Sequence, residues 1–428
     1  MKEINSLQIM LLVLGLVFGN CDKSSDNKNE TALLAAALAA SNSTSGTSTV
    51  KFLVSDASQS KCYDEKGTEM TCPTNASSSF YGQDAQYTRL KPSYTVSNGI
   101  VLDNNTGLMW EQEHHDTRVS YADAVSHCTQ LRTGNYSDWR IPTIRELFSI
   151  NNANGDQNTT NAFYLDSAYF NFNYPTSVEL TGTHTTKMMG QTWSSTARPD
   201  DSTINYFYNF LDGHIKSNFN NSSNSTLFYR CVRGDKTVFA TNNYKDNGDG
   251  TVTDNNTGLI WQQSNGEQST GDYQFTWQEA LSYCENLSLA GKTDWRLPDI
   301  KELQSIVYYD NPDYNTTKMV LDTKYFKFTL PAGKDLNTNP TTSPPNGNSV
   351  APFFWSSTTH GDAKSFASYM CFGPCWAVEK FVGTGTYDAH GPGAQRSDPK
   401  SVPTTWPTSI GDQKDVVQVN NFVRCVRN

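Results

Sequence analysis

Hydrophobic and polar positions follow two rhythms along this chain, and each rhythm returns once in the same order. The first has a period of two. The octet DNNTGLMW at 103–110 comes back as DNNTGLIW at 254–261. In the second copy TVTD and LIWQQ flank NNTG, an alternation about an Asn/Gly turn that predicts a β-hairpin, with Gly258 available for positive φ and Trp261 in the core. The second rhythm is helical. Trp277, Ala280, Leu281, Cys284 and Leu287 fall on one helix face, and Thr276 with Glu279 makes the capping box that opens it. Ser120 and Asp123 begin the counterpart. A second helix starts at Thr143 or Asp299, whose side-chain oxygen caps free amides while Glu146 or Glu302 closes the box. Ile300, Leu303, Ile306 and Val307 give it a buried stripe, and Pro142 or Pro298 resets chain direction before it.

The echo continues through DWRIPTIREL and DWRLPDIKEL, TWSST and FWSST, YRCVR and VRCVR. Persistent order means domain duplication. One copy spans 94–233 and the other 244–428, joined by a linker at 234–243. Short strands with two helices per copy predict an α+β fold, and 428 residues are enough for each domain to bury a core of its own.

The cysteines fall into the same register. Cys128 and Cys284 sit on the first helix of their copies, and Cys231 and Cys425 in the last strand, so each pair is expected to staple one domain end to end. Closing a loop of about 100 residues contributes about 4.7 kcal/mol in the chain-entropy account. Cys62 and Cys72 flank YDEKGTEMT as a small disulfide-closed hairpin within 51–93, and Cys371 with Cys375 form a short pair turned by Gly373-Pro374. That leaves Cys21. Residues 1–20 carry an apolar run from Ile9 to Phe18, too short to span a membrane and suited to a signal peptide. Val17-Phe18-Gly19-Asn20-Cys21 resembles a lipobox, with Phe18 and Asn20 where Leu and a small residue are usual. Lipidation of Cys21 would leave an even set of eight cysteines, as an oxidising compartment favours. Residues 21–50, rich in Asn, Ser, Thr and Ala, then read as a flexible tether.

Composition narrows the partners. Charged residues make up only 18% and the net charge is −10, which argues against nucleic acid because clustered Lys and Arg are needed to displace phosphate counterions. The expected site is a cell envelope, at the outer membrane or cell surface, with the membrane engaged through the N-terminal lipid.

GDGTVTDNNTGLIWQQ, TWQEALSYC, GKTDWRLPDIKEL, WSST and RCVR together resemble the Lcl C-terminal domain family of bacterial exported proteins, named after a collagen-like adhesin. The layout is similar to the C-type lectin-like fold, so the resemblance implies two tandem C-type lectin-like domains, each with two helices and short antiparallel strands. It implies a ligand-binding or adhesin-like surface module taking a host or envelope glycan or a protein. The Glu-Pro-Asn, Gln-Pro-Asp and Trp-Asn-Asp sugar motifs of calcium-dependent lectins do not occur, nor does a collagen-like Gly-X-Y run.

Differences between the copies point to a site. From Trp193 to Cys231 and from Trp355 to Cys425, the second copy carries about thirty extra residues, and long loops in compact domains are commonly functional. Within them Trp376, Tyr387, His390 and Trp406 offer rings to a sugar or peptide. Packing of those rings onto their own domain is the competing reading. Trp139 and Trp295 of DWR are expected in the core, with the flanking Asp and Arg paired. No catalytic residue or cofactor is expected. Calcium is the one cofactor the sequence leaves open, through Asp246, Asp249 and Asp254, although copy one keeps only Asp103 there and the spacing is not that of D-x-[DN]-x-[DN]-G. Two alternatives remain: a structural envelope protein without a discrete ligand, and a cysteine-dependent oxidase using Cys371 and Cys375.

Overall fold

Copy one opens with three antiparallel strands that close on the strand ending the copy. The computed structural model describes residues 52–115, 117–173, 190–239, 242–336, 339–340, 345–378, 386–403 and 415–428. An N-terminal arm, 52–93, holds β1 (Cys62–Tyr63) and β2 (Glu69–Met70). Copy one then contributes β3 (Tyr94–Ser97), β4 (Ile100–Asp103), β5 (Met109–Glu111), α1 (Tyr121–Gln130), α2 (Ile144–Ser149), β6 (Gln191–Ala197), β7 (Ile204–Asn209), β8 (Ile215–Phe219) and β9 (Val232–Arg233). Copy two repeats the order with β10 (Tyr244–Asp246), β11 (Thr251–Asp254), β12 (Ile260–Gln262), α3 (Trp277–Glu285), α4 (Ile300–Ser305), a short α5 (Tyr314–Thr317), β13 (Phe353–Thr359), β14 (Phe366–Cys371), β15 (Trp376–Val378), β16 (Thr386–Asp388), β17 (Gln395–Pro399) and β18 (Val426–Arg427).

Each copy has a four-stranded sheet, β3-β4-β5-β9 or β10-β11-β12-β18, and a three-stranded one, β6-β7-β8 or β13-β14-β17. The repeated octet is scaffold in both. Asp103 caps its turn by accepting from the Asn105 amide at 3.0 Å and the Thr106 hydroxyl at 2.7 Å. Asp254 does the same with Asn256 at 2.9 Å and Thr257 at 2.8 Å. Gly107 and Gly258 take φ of 74° and 79°, a region that only glycine enters without strain. Trp110 and Trp261 are buried and pair across the ladder with Val232 and Val426, so the two ends of each copy meet.

All four expected bridges are present: Cys62–Cys72, Cys128–Cys231, Cys284–Cys425 and Cys371–Cys375. Capping boxes open α2, α3 and α4, and Ser120 caps α1. Trp139 and Trp295 are buried. The charges of DWR are paired, though not with each other: Asp138 binds Arg233 and Asp294 binds Arg427, while Arg140 and Arg296 reach Glu146 and Glu302. Arg230 and Arg424 are buried and donate to carbonyls at the end of the hairpin and beyond the second helix, among them Glu111 and Asn171, or Gln262 and Lys327.

The expectation of a separate core for each copy needs correcting. Behind each helix–strand disulfide lies a cluster belonging to one copy. The largest cluster belongs to both, uniting Ile144, Leu147 and Phe148 of α2 with Ile300 and Leu303 of α4, and Val50–Asn428 forms one compact unit. The cause is geometric. The apolar face of each six-residue helix meets the other helix as well as its own copy's sheet, so the two copies cover each other.

The arm also lies where its sequence position would not place it. It precedes copy one yet packs on copy two: Phe80 lies 6.2 Å from the Trp277 ring, Tyr87 hydrogen-bonds Glu285, and Gln59 exchanges two hydrogen bonds with the Thr359 backbone. The 234–243 linker takes the matching place on copy one, where Arg145 donates to the Phe239 carbonyl and to Asn242. The copies touch closely at Gly155 and Gly361, where a Cβ on Gly361 would stand 1.8 Å from the Gly155 carbonyl oxygen. Gly361→Ala is therefore expected to force the copies apart and cost about 1–3 kcal/mol, read as a lowered urea midpoint; an unchanged midpoint would contradict this account of the interface.

Candidate functional site

Three segments meet around a cleft of about 550 Å³. The arm supplies Gln59, Lys61 and Glu69; the loop after α2 supplies Asn154 and Asp156; the end of β13 supplies Thr359 and the segment after it Lys364. Its charges neutralise one another. Lys364 Nζ lies 2.6 Å from Asp156, and Lys61 Nζ lies 2.7 Å from Glu69. Burial alone would raise the Asp156 carboxyl, but Lys364 and Thr159 outweigh it and hold the group down at about 2. Thr359 is buried, and its hydroxyl has no partner among the described residues.

One wall of this cleft depends on a buried ionic cluster. Arg89 of the arm lies 2.5 Å from Asp84, 3.0 Å from Asp299, 3.2 Å from Glu302 and 3.8 Å from Asp56. Arg296 grips Glu302 with two hydrogen bonds of 2.6 and 2.7 Å, Lys301 donates to the Asp56 carbonyl at 3.2 Å, and Thr358 donates to Asp84 at 2.8 Å. Burial pushes Asp84 up to about 6 and Asp299 up to about 7, against the pull of Arg89. Glu302 is subject to the same burial, but Arg296 and Arg89 hold it at about 2. Lys400, pushed down to about 7 by burial, donates to the Tyr63 carbonyl at 3.4 Å and stands 4.3 Å over the Trp277 ring.

Two stretches, residues 99–233 and 250–397, match the Lcl C-terminal domain, and together they cover well over half of the chain. The chain belongs to the Lcl C-terminal domain family. No curated protein matches it. The second match stops within β17, yet the Cys284–Cys425 bridge closes copy two as Cys128–Cys231 closes copy one.

In this tandem Lcl C-terminal domain protein two of the four rings expected of the long insertion, Trp376 and His390, face inward. Trp376 is buried against copy two, and His390 is fully buried, 2.5 Å from Asp415, which also binds Arg396. Burial, with Arg396 adding to it, depresses His390 to about 4 despite Asp415. Tyr387 keeps 40% exposure; Trp406 lies outside the described residues. The insertion is tied into the joint between the copies, where Asp388 binds Arg198 at 3.0 Å and the Pro392 carbonyl accepts from Tyr206. That tie draws Trp376 and His390 inward.

The carboxylates singled out for calcium are engaged by their own turns. Asp246 accepts from the Gly248 amide and Gln263, Asp249 from the amide and hydroxyl of Thr251, and Asp254 caps the octet turn. Among the described residues no group of three or more His, Cys, Asp or Glu is arranged to hold a metal. Cys21 lies outside the described residues. The cleft was invisible in the sequence because no one motif contains it; the one available signal is that Ala153 and Asn154 stand where copy two has Tyr309 and Asp310.

The arm has its own pH dependence. Asp84 and Asp299 hold their protons more tightly when docked, so their contribution is complete below about 3.8 and is lost as pH rises through about 6 and 7. Glu302 acts oppositely only below its ordinary range, and Lys301 and Lys400 act oppositely only above about 7. Between pH 5 and 7 amide exchange in 52–93, corrected for intrinsic rates, is expected to speed up relative to α1, and Asp299→Asn, which keeps the helix cap, to flatten the trend. Exchange that slows over this interval would contradict the assignment.

Proposed function

We propose that this protein is exported, lipid-anchored at Cys21 and tethered to the cell envelope, at the outer membrane or cell surface, where its folded part binds a ligand without transforming it. The observation that carries the reading is the cleft: about 550 Å³ of polar recess, within the usual range for small-molecule sites, held open by segments that disulfides and buried ion pairs fix in place. A glycan suits it better than an apolar ligand, because the walls offer hydroxyls, amides and paired charges.

The C-type lectin-like assignment of each copy is part of the proposal. It is supported by terminal strands that pair, two helices, a second sheet begun by the WSST strand, and a bridge from first helix to last strand. Binding is preferred to the oxidase alternative because Cys371 and Cys375 are buried and joined to each other.

Two measurements test the reading. Metabolic labelling with an alkynyl fatty acid should mark the protein and lose the mark in Cys21→Ser, which should also appear in the soluble fraction. A glycan array probed with the full chain, with and without chelator, should show binding; an array without any signal would leave the structural envelope role as the better account.

A further inference from the structure

Duplicated domains ordinarily bring duplicated sites, but the two copies here are not equivalent where they meet. With Trp139 matched to Trp295, Ala153 and Asn154 correspond to Tyr309 and Asp310. In the open cleft the small Ala153 side chain leaves room. At the matching position the Tyr309 ring fills the space: it packs 5.1 Å from Tyr206, and its hydroxyl donates to the Gly393 carbonyl at 2.9 Å. Tyr206 in turn hydrogen-bonds the Pro392 carbonyl. What remains is a recess of about 100 Å³ bounded by the linker and Tyr308 to Asp310, less than a sugar ring with its hydroxyls requires.

The chemistry of the open cleft selects among glycans. Each lysine in it already holds a carboxylate, Lys61 with Glu69 at 2.7 Å and Lys364 with Asp156 at 2.6 Å. Among the described residues lining the cleft no unpaired cation is left to neutralise a sulfate or carboxylate, and an anion would have to displace Asp156 or Glu69 from its partner. The net charge of −10 adds to that cost. The remaining groups are hydroxyls and amides, from Ser60, Asn154 and Thr160 at the exposed rim to the buried Thr359 hydroxyl, which has no partner among the described residues. An unsatisfied buried hydroxyl costs free energy that a ligand hydroxyl can recover. Alternating donors and acceptors of this kind match a polyol.

We infer that the cleft takes an uncharged saccharide and that the duplicated chain holds one such site. This rests on the binding function proposed above and specifies it. The insertion of copy two then has a role other than ligand contact: through Asp388, Pro392 and Gly393 it occupies the joint that corresponds to the cleft.

The test uses the full chain, printed uncharged gluco-, manno-, galacto- and N-acetylglucosamine oligosaccharides, and heparin and hyaluronan as the anionic arm. An uncharged oligosaccharide is expected to bind with a calorimetric stoichiometry near one. Asn154→Trp, at an exposed rim position, should weaken it by about tenfold or more, and Asp310→Trp, the matched change in copy two, should leave it unaltered. Thr160→Trp serves as a second rim variant, and retained near-ultraviolet dichroism shows that each variant is folded. Binding confined to heparin or hyaluronan overturns the ligand class; a stoichiometry of two, or loss in Asp310→Trp with Asn154→Trp unaffected, overturns the single site. Either result would leave the binding function standing, whereas silence from every saccharide would remove that function itself.

Discussion

The structure depends on the contact between two six-residue helices, one from each copy, at the centre of a shared core. Ile144, Leu147 and Phe148 line one face of α2, and Ile300 and Leu303 one face of α4, and each face meets the three-stranded sheet of its own copy as well as the other helix. Placing α2 against α4 completes both, and water is excluded from the cluster that the two copies share. Everything at the joint follows from that contact. It brings Gly155 against Gly361, sets the loop after α2 beside the strand end after β13, and so creates two related recesses between the copies.

Approximate symmetry at the joint makes small sequence differences consequential. Ala153 faces a recess that Tyr309 fills in the related position. Arg198, which binds Asp388 of the insertion, corresponds to His360, which stacks 4.7 Å from His214, and burial pushes both imidazoles below their ordinary range. Thr143 and Asp299 both cap a helix, but only Asp299 adds a carboxylate for Arg89. One copy thus receives a charged arm and the other a short linker, and Phe52 of the arm meets Phe239 of the linker with ring centroids 4.6 Å apart.

Docking of the arm is electrostatically expensive. Asp56, Asp84, Asp299 and Glu302 surround Arg89, with Arg296 and Lys301 nearby, all largely removed from water. Such clusters repay their desolvation only when every partner is in place. Their geometry is correspondingly specific, which suits a segment that must pass over copy one and settle on copy two. Lys400 fixes the other end of the arm through the Tyr63 carbonyl and the Trp277 face. The wall of the cleft is held by the same contacts.

The sequence by itself determined everything that repeats locally: the octet hairpins, the capped helices, the buried DWR tryptophans and the helix-to-last-strand bridges. Each of these rests on contacts within one copy, whose partners are named by spacing, by turn chemistry or by an identical position in the other copy. Tertiary structure alone decided where the arm docks, that the copies share a core, and that Trp376 and His390 face inward. Those outcomes are set by contacts between segments hundreds of residues apart, such as Gln59 with Thr359 or Arg89 with Asp299. The cleft belongs to the second kind. Its residues come from three segments that acquire a common wall only after α2 and α4 have buried each other, so periodicity along the chain could register their individual chemistry and not their meeting.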